Sequence, residues 1–262
     1  WEVSELKLRN YFHFEKVELI NDFAVLIYGI KYLENKQFKT LQNKASNIHK
    51  SESYHTIVGA GTGLGISRGI ISSTKIIVLP SEGGHIEFAP KTQEEWELKQ
   101  WLKNSLNIER VSYERIISGE GLSNIAKWKF SKENVRDHPF NYLLKEAEES
   151  NIVKKSLAGR ICQLANEGDP LMLEIEKLWF EAYSSFIGDL ALHELCLGGL
   201  WIAGGTAPKH FKKFISDSFL KQFSNKGRLK DIVKTIPIRI ILDEEFGLHS
   251  AACRAKMLLS NQ

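Results

Sequence analysis

Cysteine is scarce in this chain, and its few copies are widely separated. Cys162, Cys196 and Cys253 are an odd number without close spacing, which excludes a disulfide framework and a cysteine-based zinc motif. Each lies in an apolar, helix-like stretch, so we expect three buried free thiols. Free thiols indicate a reducing compartment, and the expected location is the cytoplasm.

The sequence also lacks a strong net charge and a long apolar run. The formal net charge is +3 over 262 residues, too small to favour binding to nucleic acid or to an acidic membrane surface. The longest apolar candidate, from Leu195 to Ala203, is interrupted by two glycines and is far shorter than a membrane-spanning helix. The remaining composition is ordinary for a globular protein of one large or two modest domains.

The hydrophobic pattern predicts an α/β protein whose sheet is mixed rather than purely parallel. Capping residues such as Thr92 and Asp169 mark helix starts, and three successive strands form a predicted β-meander. Predicted strands are 17–20, 55–58, 64–72, 75–79, 199–203 and 236–242. Predicted helices with both ends defined are 3–11, 23–33, 92–106, 170–195 and 246–259. Helical periodicity with breaks extends over 118–195, and a further helix is predicted to start at Pro208. Residues 34–54 are polar and are predicted to be a linker or an exposed excursion.

A glycine-rich loop at 59–65, Gly-Ala-Gly-Thr-Gly-Leu-Gly, stands between two predicted strands. Its spacing lacks the GxGxxG pattern of dinucleotide-binding folds and the Gly-Lys-Ser/Thr ending of a Walker loop. Four glycines leave the backbone amides unshielded, and Thr62 adds a hydroxyl, so the loop could hold phosphate oxygens. A plain flexible hairpin explains the same residues, and on spacing alone both interpretations stay open.

Candidate reacting side chains lie in two other short segments. Asp22 stands at a predicted strand end beside Asn21, which can cap the next helix; Asp22 is either a second cap or a general base for a hydroxyl proton. Glu82 and His85 flank two glycines, so they are expected on a turn rather than on a metal-binding helix. On a turn they could hydrogen-bond adjacent sugar hydroxyls, whereas a purely structural histidine is the alternative.

Two further segments add candidates of the same kind. Glu114 opens the segment 114–122, which is otherwise explained as an exposed helix start. Residues 198–208 predict a buried strand and a double-glycine turn into a helix, where a nucleotide base or ribose often packs; a plain strand-to-helix connection is the alternative. A carboxylate base, a glycine cradle and hydroxyl-binding side chains together suggest phosphoryl transfer to a polyol.

These segments occur in the same order in bacterial glucokinases, and the chain resembles that family from residue 1 to about residue 258. The motifs that carry the resemblance are INDF at 20–23, GAGTGLG at 59–65, LPSEGGHIEFAP at 79–90, ERIISGEGL at 114–122, GGLWIAGGTAP at 198–208 and Phe-x-x-Lys-Gly-Arg at 223–228. Each motif is weak alone, but their joint order is specific. Repressor-type (ROK) sugar kinases are disfavoured because the chain has no CxCGxxGC cluster.

The resemblance implies a two-domain actin-like ATPase (ribonuclease H-like) fold of the sugar kinase and Hsp70 superfamily. Residues 1–32, with a final helix 247–262 returning to them, would form an incomplete small domain, and residues 33–246 the large domain. The implied reaction is transfer of the ATP γ-phosphoryl group to the 6-hydroxyl of glucose, giving glucose 6-phosphate, with Mg²⁺ as the accompanying ion. The implied binding partners are glucose and ATP, and no binding to nucleic acid or to a membrane is expected. The resemblance also allows a homodimer.

The same resemblance assigns roles to individual residues. Asp22 would be the base that deprotonates the sugar hydroxyl. The sugar would be bound by Asn21, Asp22, Glu82, His85 and Glu114. ATP would be bound by Gly59, Ala60, Gly61, Thr62, Gly63, Leu64 and Gly65, with Gly204 and Gly205 at the adenosine.

One motif of the family has no counterpart in this sequence. The family begins with an Asp-x-Gly-Gly-Thr hairpin that contacts phosphate, and no aspartate of this chain is followed by that pattern. We therefore expect that the N-terminal sheet is missing and that the chain has little activity. A catalytically inactive sugar-binding or regulatory homologue is the main alternative, and the failed GxGxxG spacing disfavours an oxidoreductase. The sequence leaves open which hexose is preferred and whether ATP or polyphosphate is the donor.

Overall fold

A six-stranded mixed sheet forms the centre of the protein in the computed structural model, which describes residues 3–43, 52–132 and 138–260. The strands are β1 (Phe38–Gln42), β2 (Glu52–Ala60), β3 (Leu64–Ser72), β4 (Ile76–Leu79), β5 (Gly199–Ile202) and β6 (Ile238–Ile241). Their order across the sheet is β1-β6-β5-β2-β3-β4. β2, β5 and β6 pair in parallel, while β1 pairs antiparallel with β6, and β2, β3 and β4 form the antiparallel meander. The predicted mixed α/β class and the meander are confirmed.

Helices cover both faces of this sheet. They are α1 (Glu5–Phe12), α2 (Leu26–Gly29), α3 (Gln93–Ser105), α4 (Glu114–Ile117), α5 (Gly119–Lys132), α6 (Phe140–Glu149), α7 (Asn151–Asn166), α8 (Pro170–Glu194), α9 (Thr206–Lys209), α10 (Phe211–Phe214), α11 (Asp217–Phe223), α12 (Lys230–Val233) and α13 (Phe246–Leu259). The two predicted caps are confirmed: Thr92 Oγ1 accepts the N–H of Glu95 at 3.1 Å, and Asp169 Oδ1 accepts the N–H of Met172 at 3.0 Å. Such caps stabilise a helix start by about 1 kcal/mol.

The alternation of side chains along the central strands creates two hydrophobic cores. In β2, Val58 faces the large core built with helices α3 to α8, whereas Ile57 faces a smaller core beneath α2 and α13. In β5, Ile202 belongs to the large core and Trp201 to the small one. Successive residues of a strand point to opposite faces, so a strand that is apolar at every position must be covered on both sides.

Four sequence-based predictions differ from the structure. The helix predicted over 23–33 is reduced to α2 and a 3₁₀ turn at Ile30–Tyr32. Residues 17–20 form no strand, and the N–H of Leu19 is donated to Glu5 Oε1 at 2.8 Å instead. The predicted excursion 34–54 contains β1 and the beginning of β2, because pairing with the distant β6 orders a polar edge strand; its residues 44–51 lie outside the described residues. The helix predicted from Pro208 begins at Thr206.

The three cysteines are free thiols, as expected, but they are buried to different degrees. Cys196 is fully buried, and burial raises the pKa of its thiol to about 12. Cys162 and Cys253 are partly exposed, so the expectation of three buried thiols is correct only for Cys196. In the described part of the chain, no helix combines the length and apolar character needed to cross a membrane.

Candidate active site

A cavity of about 360 Å³ lies where the central strands β2 and β5 end. It is lined by Asn21, Asp22, Phe23, Gly61, Thr62, Gly63, Leu64, Gly65, Ile66, Ser81, Glu82, His85, Glu114, Gly204 and Gly205. All five predicted sugar-binding residues are therefore brought together with most of the glycine loop. Gly59 and Ala60, also predicted to bind ATP, occupy the last two positions of β2 and do not line the cavity.

The glycine loop is a tight hairpin between β2 and β3. The N–H of Gly61 is donated to the carbonyl of Gly63 at 2.8 Å, and Gly59 and Gly65 are cross-strand partners. A Cβ atom on Gly65 would lie 2.1 Å from the Phe23 ring, and one on Gly59 would lie 2.7 Å from it. The pair of glycines therefore makes room for Phe23 to lie directly on the hairpin.

This contact fixes Asp22 beside the hairpin. On one side of Asp22, the Phe23 ring is held against the glycines. On the other side, Asn21 Oδ1 accepts the N–H groups of Phe23 and Ala24 at 2.9 and 3.0 Å. These bonds close a turn and not a helix start, because the helix that Asn21 was predicted to cap begins only at Leu26. The Asp22 side chain stands between these anchors, exposed and facing the cavity. Since the Asn21 carbonyl oxygen is engaged in the turn, its amide N–H₂ is the group that it can offer to a ligand.

Glu82, His85 and Glu114 form a row of polar side chains in the same cavity. His85 Nδ1 is 3.8 Å from Glu114 Oε1, and His85 Nε2 is 3.8 Å from Glu82 Oε2. Both separations exceed a hydrogen bond, so neither carboxylate forms a hydrogen bond with the His85 ring. The predicted turn at Gly83–His85 is confirmed as a short 3₁₀ turn. Gly84 lets this turn press on the hairpin, because a Cβ there would be 2.1 Å from the carbonyl oxygen of Leu64.

Buried groups behind the hairpin hold its backbone in place. The N–H of Gly119, the first residue of α5, is donated to the carbonyl of Gly61 at 2.8 Å. Thr206 Oγ1 donates to the carbonyl of Ala60 at 2.7 Å, and the N–H of Ala60 is donated to the Tyr183 hydroxyl oxygen at 3.2 Å. Tyr183 is completely buried, and burial raises the pKa of its phenol, so it is neutral. The hairpin is thus rigidly supported on the side that faces away from the cavity.

The turn after β5 brings a second backbone segment to the cavity. Gly204 has φ +83°, a conformation that side chains rarely adopt, and a Cβ there would lie 3.1 Å from the carbonyl oxygen of Ala60. Gly205 has open space around its Cα. The double-glycine turn therefore lies against the hairpin and leaves one side of the cavity free of side chains.

Sequence reasoning missed three contributors to this site. Ser81 lines the cavity, and its Oγ accepts the N–H of Gly83 at 3.2 Å. Phe23 and Thr206 position the base candidate and the hairpin through the contacts described above. Ser81, Phe23 and Thr206 each adjoin a predicted site residue, which was a usable signal, but only the three-dimensional contacts reveal their roles.

A possible metal-ligand cluster lies elsewhere in the fold. Three side chains that could together bind a metal ion, those of Cys162, Glu176 and His210, have donor atoms within 4.8 Å of one another. Among the described residues no other such group is found. Glu176 already pairs with His210 Nδ1 at 3.2 Å and with Lys213 Nζ at 2.5 Å. The ammonium of Lys213 occupies the carboxylate and repels a cation, so this cluster is an internal ion-pair network. No such cluster of described residues lies at the cavity.

Comparison with known proteins identifies the family of this chain. The sequence model of a protein family described as Glucokinase matches residues 1–258. A glucokinase from Nostoc sp. (strain PCC 7120 / SAG 25.82 / UTEX 2576) is 35% identical over 263 residues, which cover 98% of this chain and 76% of that protein.

Solved structures show the same likeness. The crystal structure of glucokinase from an Antarctic psychrotroph superposes with a TM-score of 0.75 at 26% identity, over 98% of this chain and 72% of that one. A ROK family glucokinase from Streptomyces griseus in complex with glucose and AMPPNP has a TM-score of 0.60 at 19% identity, over 97% of this chain and 72% of that one. The second similarity shows the fold alone. Since the family model spans nearly all of the sequence and the fold agrees, the chain belongs to the glucokinase family.

Proposed function

We propose that the chain transfers the γ-phosphoryl group of ATP to the 6-hydroxyl of glucose in the cavity described above. The observation that carries the proposal is the meeting of three kinds of group in one cavity. An exposed carboxylate (Asp22), a bare backbone hairpin (61–65) and a row of hydroxyl-binding side chains all line it. Phosphoryl transfer requires a positioned nucleophile and stabilisation of phosphate charge, and little covalent chemistry by the protein.

Asp22 is the proposed general base. As the 6-oxygen of the sugar attacks the γ-phosphorus, its proton passes to the Asp22 carboxylate, a new O–P bond forms, and the bond from the γ-phosphorus to the departing ADP oxygen breaks. A positioned base of this kind contributes about 10²–10⁴-fold in rate. The two anchors on Asn21 and Phe23 limit the movement of the Asp22 backbone, which favours a fixed approach to the hydroxyl.

The row formed by Glu82, His85 and Glu114 provides the proposed sugar contacts. Glu82 and Glu114 accept hydrogen bonds, and His85 can donate or accept, so the row can bind neighbouring hydroxyls of one ring. Each His85 ring nitrogen lies 3.8 Å from a carboxylate oxygen, so a sugar hydroxyl that lies beside such a pair could hydrogen-bond to both groups. Asn21 would contribute its amide N–H₂ from the side of the base.

The hairpin and the double-glycine turn are the proposed ATP contacts. The backbone N–H groups of Thr62 and Gly63 and the Thr62 hydroxyl would bind phosphate oxygens, because the N–H groups of Gly61 and Leu64 are already donated to the Gly63 carbonyl and to Glu114. Gly204 with Gly205 would lie at the adenosine. Gly59 and Ala60 would act indirectly by supporting the hairpin. Because the described cavity holds no three-ligand cluster, its residues do not form a protein cage for Mg²⁺. Mg²⁺ typically binds through one or two carboxylates together with substrate phosphates, and we propose that it would enter with the nucleotide.

We also propose that residues 1–32 and 247–262 form one unit and residues 33–246 the other. Contacts between the two outer segments support this division. Arg254 Nε donates to Glu18 Oε2 at 2.6 Å, and Lys16 Nζ donates to the carbonyl of Leu258 at 2.6 Å. We also propose a cytoplasmic location, which the free thiols support. The proposed assembly is a homodimer, and light scattering would measure its mass.

A coupled assay for glucose 6-phosphate tests the proposed reaction. We expect product only when glucose and ATP are both present, and at a low rate because the sequence lacks the Asp-x-Gly-Gly-Thr motif. A comparison with mannose, glucosamine and polyphosphate defines the selectivity. Isothermal calorimetry with glucose separates binding from turnover. Saturable glucose binding without any product would identify an inactive sugar-binding homologue and overturn the proposed catalysis.

A further inference from the structure

We propose that a second cavity, remote from the candidate active site, binds a small organic anion that carries a phosphate or carboxylate group. The cavity has a volume of about 280 Å³. It is lined by Ile30, Lys31, Leu33, Phe38, His55, Ile71, Gly198, Trp201 and Arg239. His55 pairs with Gly199 near the beginning of β2 and β5, whereas the glycine hairpin follows the end of β2. The two cavities therefore lie at opposite ends of the same central strands.

Arg239 brings an unneutralised cation into this cavity. Arg239 and Trp201 are cross-strand partners in β6 and β5, and the guanidinium carbon lies 4.9 Å from the centre of the Trp201 ring. Its Nη1 donates to the carbonyl of Gly198 at 3.2 Å. Within the described residues, no carboxylate pairs with Arg239, and burial lowers the pKa of its guanidinium. A partly buried charge without a counter-ion is costly, and an anion in the cavity would remove that cost.

The backbone beside Arg239 is shaped to admit the guanidinium. Gly199 has φ +141°, and a Cβ on it would lie 2.4 Å from Arg239 Nη1. Any other residue at position 199 would be strained and would push the guanidinium away. The local sequence thus accommodates a cation that makes only one hydrogen bond and one ring contact within the described structure.

Lys31 and His55 complete the polar part of the lining. Lys31 Nζ donates to the carbonyl of Ser73 at 3.0 Å and remains exposed at the cavity. His55 Nδ1 accepts the Trp201 indole N–H at 3.1 Å, so its Nε2 carries the proton and donates to Ser53 Oγ at 2.8 Å. Burial and the nearby Arg239 lower the pKa of His55 to about 4, which makes it neutral at pH 7. The lining therefore offers two cations and no carboxylate.

The remaining walls define the body of the ligand. Phe38 and Trp201 meet edge to face with ring centres 5.4 Å apart, and three aliphatic side chains surround them. Ligand pockets usually measure about 300–1,000 Å³, so the occupant must be small. Arginine binds phosphate and carboxylate through the same forked geometry, and a compact apolar or planar body would pack against the rings.

Nuclear magnetic resonance of the Trp201 indole N–H tests this proposal directly, with a Trp201→Phe variant to assign the signal. The probes are phenyl phosphate, benzoate, inorganic phosphate and the uncharged benzyl alcohol. We expect a saturable shift with phenyl phosphate or benzoate, weaker binding of inorganic phosphate, and no saturable shift with benzyl alcohol. The two aromatic anions distinguish a phosphate from a carboxylate ligand. Absence of a saturable shift with both, or an equal response to benzyl alcohol, would overturn the proposal.

Two variants locate the binding. Arg239→Gln should weaken the anion affinity at least tenfold, and circular dichroism checks that it folds. Lys31→Gln, at an exposed position, should weaken it several-fold, whereas Lys36→Gln is the matched control because Lys36 pairs with Glu34 outside the cavity at 2.9 Å. Unchanged affinity in a folded Arg239→Gln protein, or in Lys31→Gln if the first variant does not fold, would overturn the assignment. Glucose phosphorylation is measured separately, so failure of one proposal does not imply failure of the other.

Discussion

Glu114 accepts the backbone N–H of Leu64 through its Oε2 atom at 2.9 Å. Leu64 is the first residue of β3, directly after the glycine hairpin, and Gly63 leaves room for this contact because a Cβ there would be 2.6 Å from Glu114 Oε2. The other carboxylate oxygen lies 3.8 Å from His85 Nδ1. A single side chain therefore connects the proposed sugar contacts with the proposed phosphate loop.

Replacement of Glu114 by alanine should impair the binding of both substrates. A hydrogen bond to a charged group contributes about 1.5–3 kcal/mol, so we expect the KM for glucose to rise roughly tenfold or more, and the KM for ATP to rise with it because the hairpin loses its support. Steady-state kinetics measures both constants, and Glu120→Ala, at the exposed start of α5, is the matched control. If only the KM for glucose rises, Glu114 contributes to sugar binding and not to the support of the ATP loop.

Gly65→Ala should displace Phe23 and with it Asp22. The new methyl group would lie 2.1 Å from the Phe23 ring, and overpacking of this kind costs about 1–3 kcal/mol. We expect a lower midpoint in urea unfolding and a large loss of kcat. Gly159→Ala, inside α7 where nothing lies within 4 Å, should leave kcat unchanged and should not lower the midpoint, because alanine is favoured over glycine in a helix. Adding Phe23→Leu to Gly65→Ala should recover part of the stability. A fully active Gly65→Ala protein would show that Phe23 does not position the base.

Glucose should stabilise the folded protein through Glu82. A ligand that binds only the native state adds about 2.7 kcal/mol at a hundredfold excess over its dissociation constant, so the melting temperature should rise. Glu82→Ala should abolish this rise, whereas the exposed Glu109→Ala should keep it. Differential scanning calorimetry measures the shift. An equal rise with glycerol, or an undiminished rise in Glu82→Ala, would argue against the proposed sugar contacts.

His55 should make stability depend on pH in the weakly acidic range. Burial, together with Arg239, lowers its pKa to about 4 in the folded state, while the unfolded value is near 6.5. Between these values the unfolded chain binds the extra proton, so stability falls as pH decreases. The shift corresponds to roughly 3 kcal/mol. Urea unfolding from pH 7 to pH 4 should show a smaller acid-linked loss in His55→Gln than in the wild type. Parallel curves would contradict the buried neutral imidazole.

The sequence predicted those elements whose signals are local. The caps at Thr92 and Asp169 and the meander rest on neighbouring residues, and they appear in the structure as expected. β1 was missed because Phe38–Gln42 is polar in part and becomes a strand only through β6, about two hundred residues away. Residues 17–20 have a strand-like pattern, yet no described strand pairs with them.

The site was predictable as a set of residues but not as a geometry. Single residues such as Asp22 or His85 were ambiguous, and only the order of several motifs indicated the family. The support of the hairpin by Tyr183, Thr206 and Phe23 depends on contacts between distant segments. Phe23 and Thr206 adjoin predicted site residues in the sequence, but that position does not reveal which backbone groups they contact.

The most direct test of the proposed mechanism is the kcat of Asp22→Asn. The substitution keeps the size of an exposed side chain and removes its ability to accept a proton, so glucose affinity by calorimetry should stay close to that of the wild type. Turnover in the coupled assay should fall by about 10²–10⁴-fold. The matched control is Asp231→Asn, because the Asp231 side chain on α12 is 94% exposed. This variant should retain full turnover. A kcat for Asp22→Asn within a few-fold of the wild type would contradict the account and would reduce Asp22 to a structural residue of the turn.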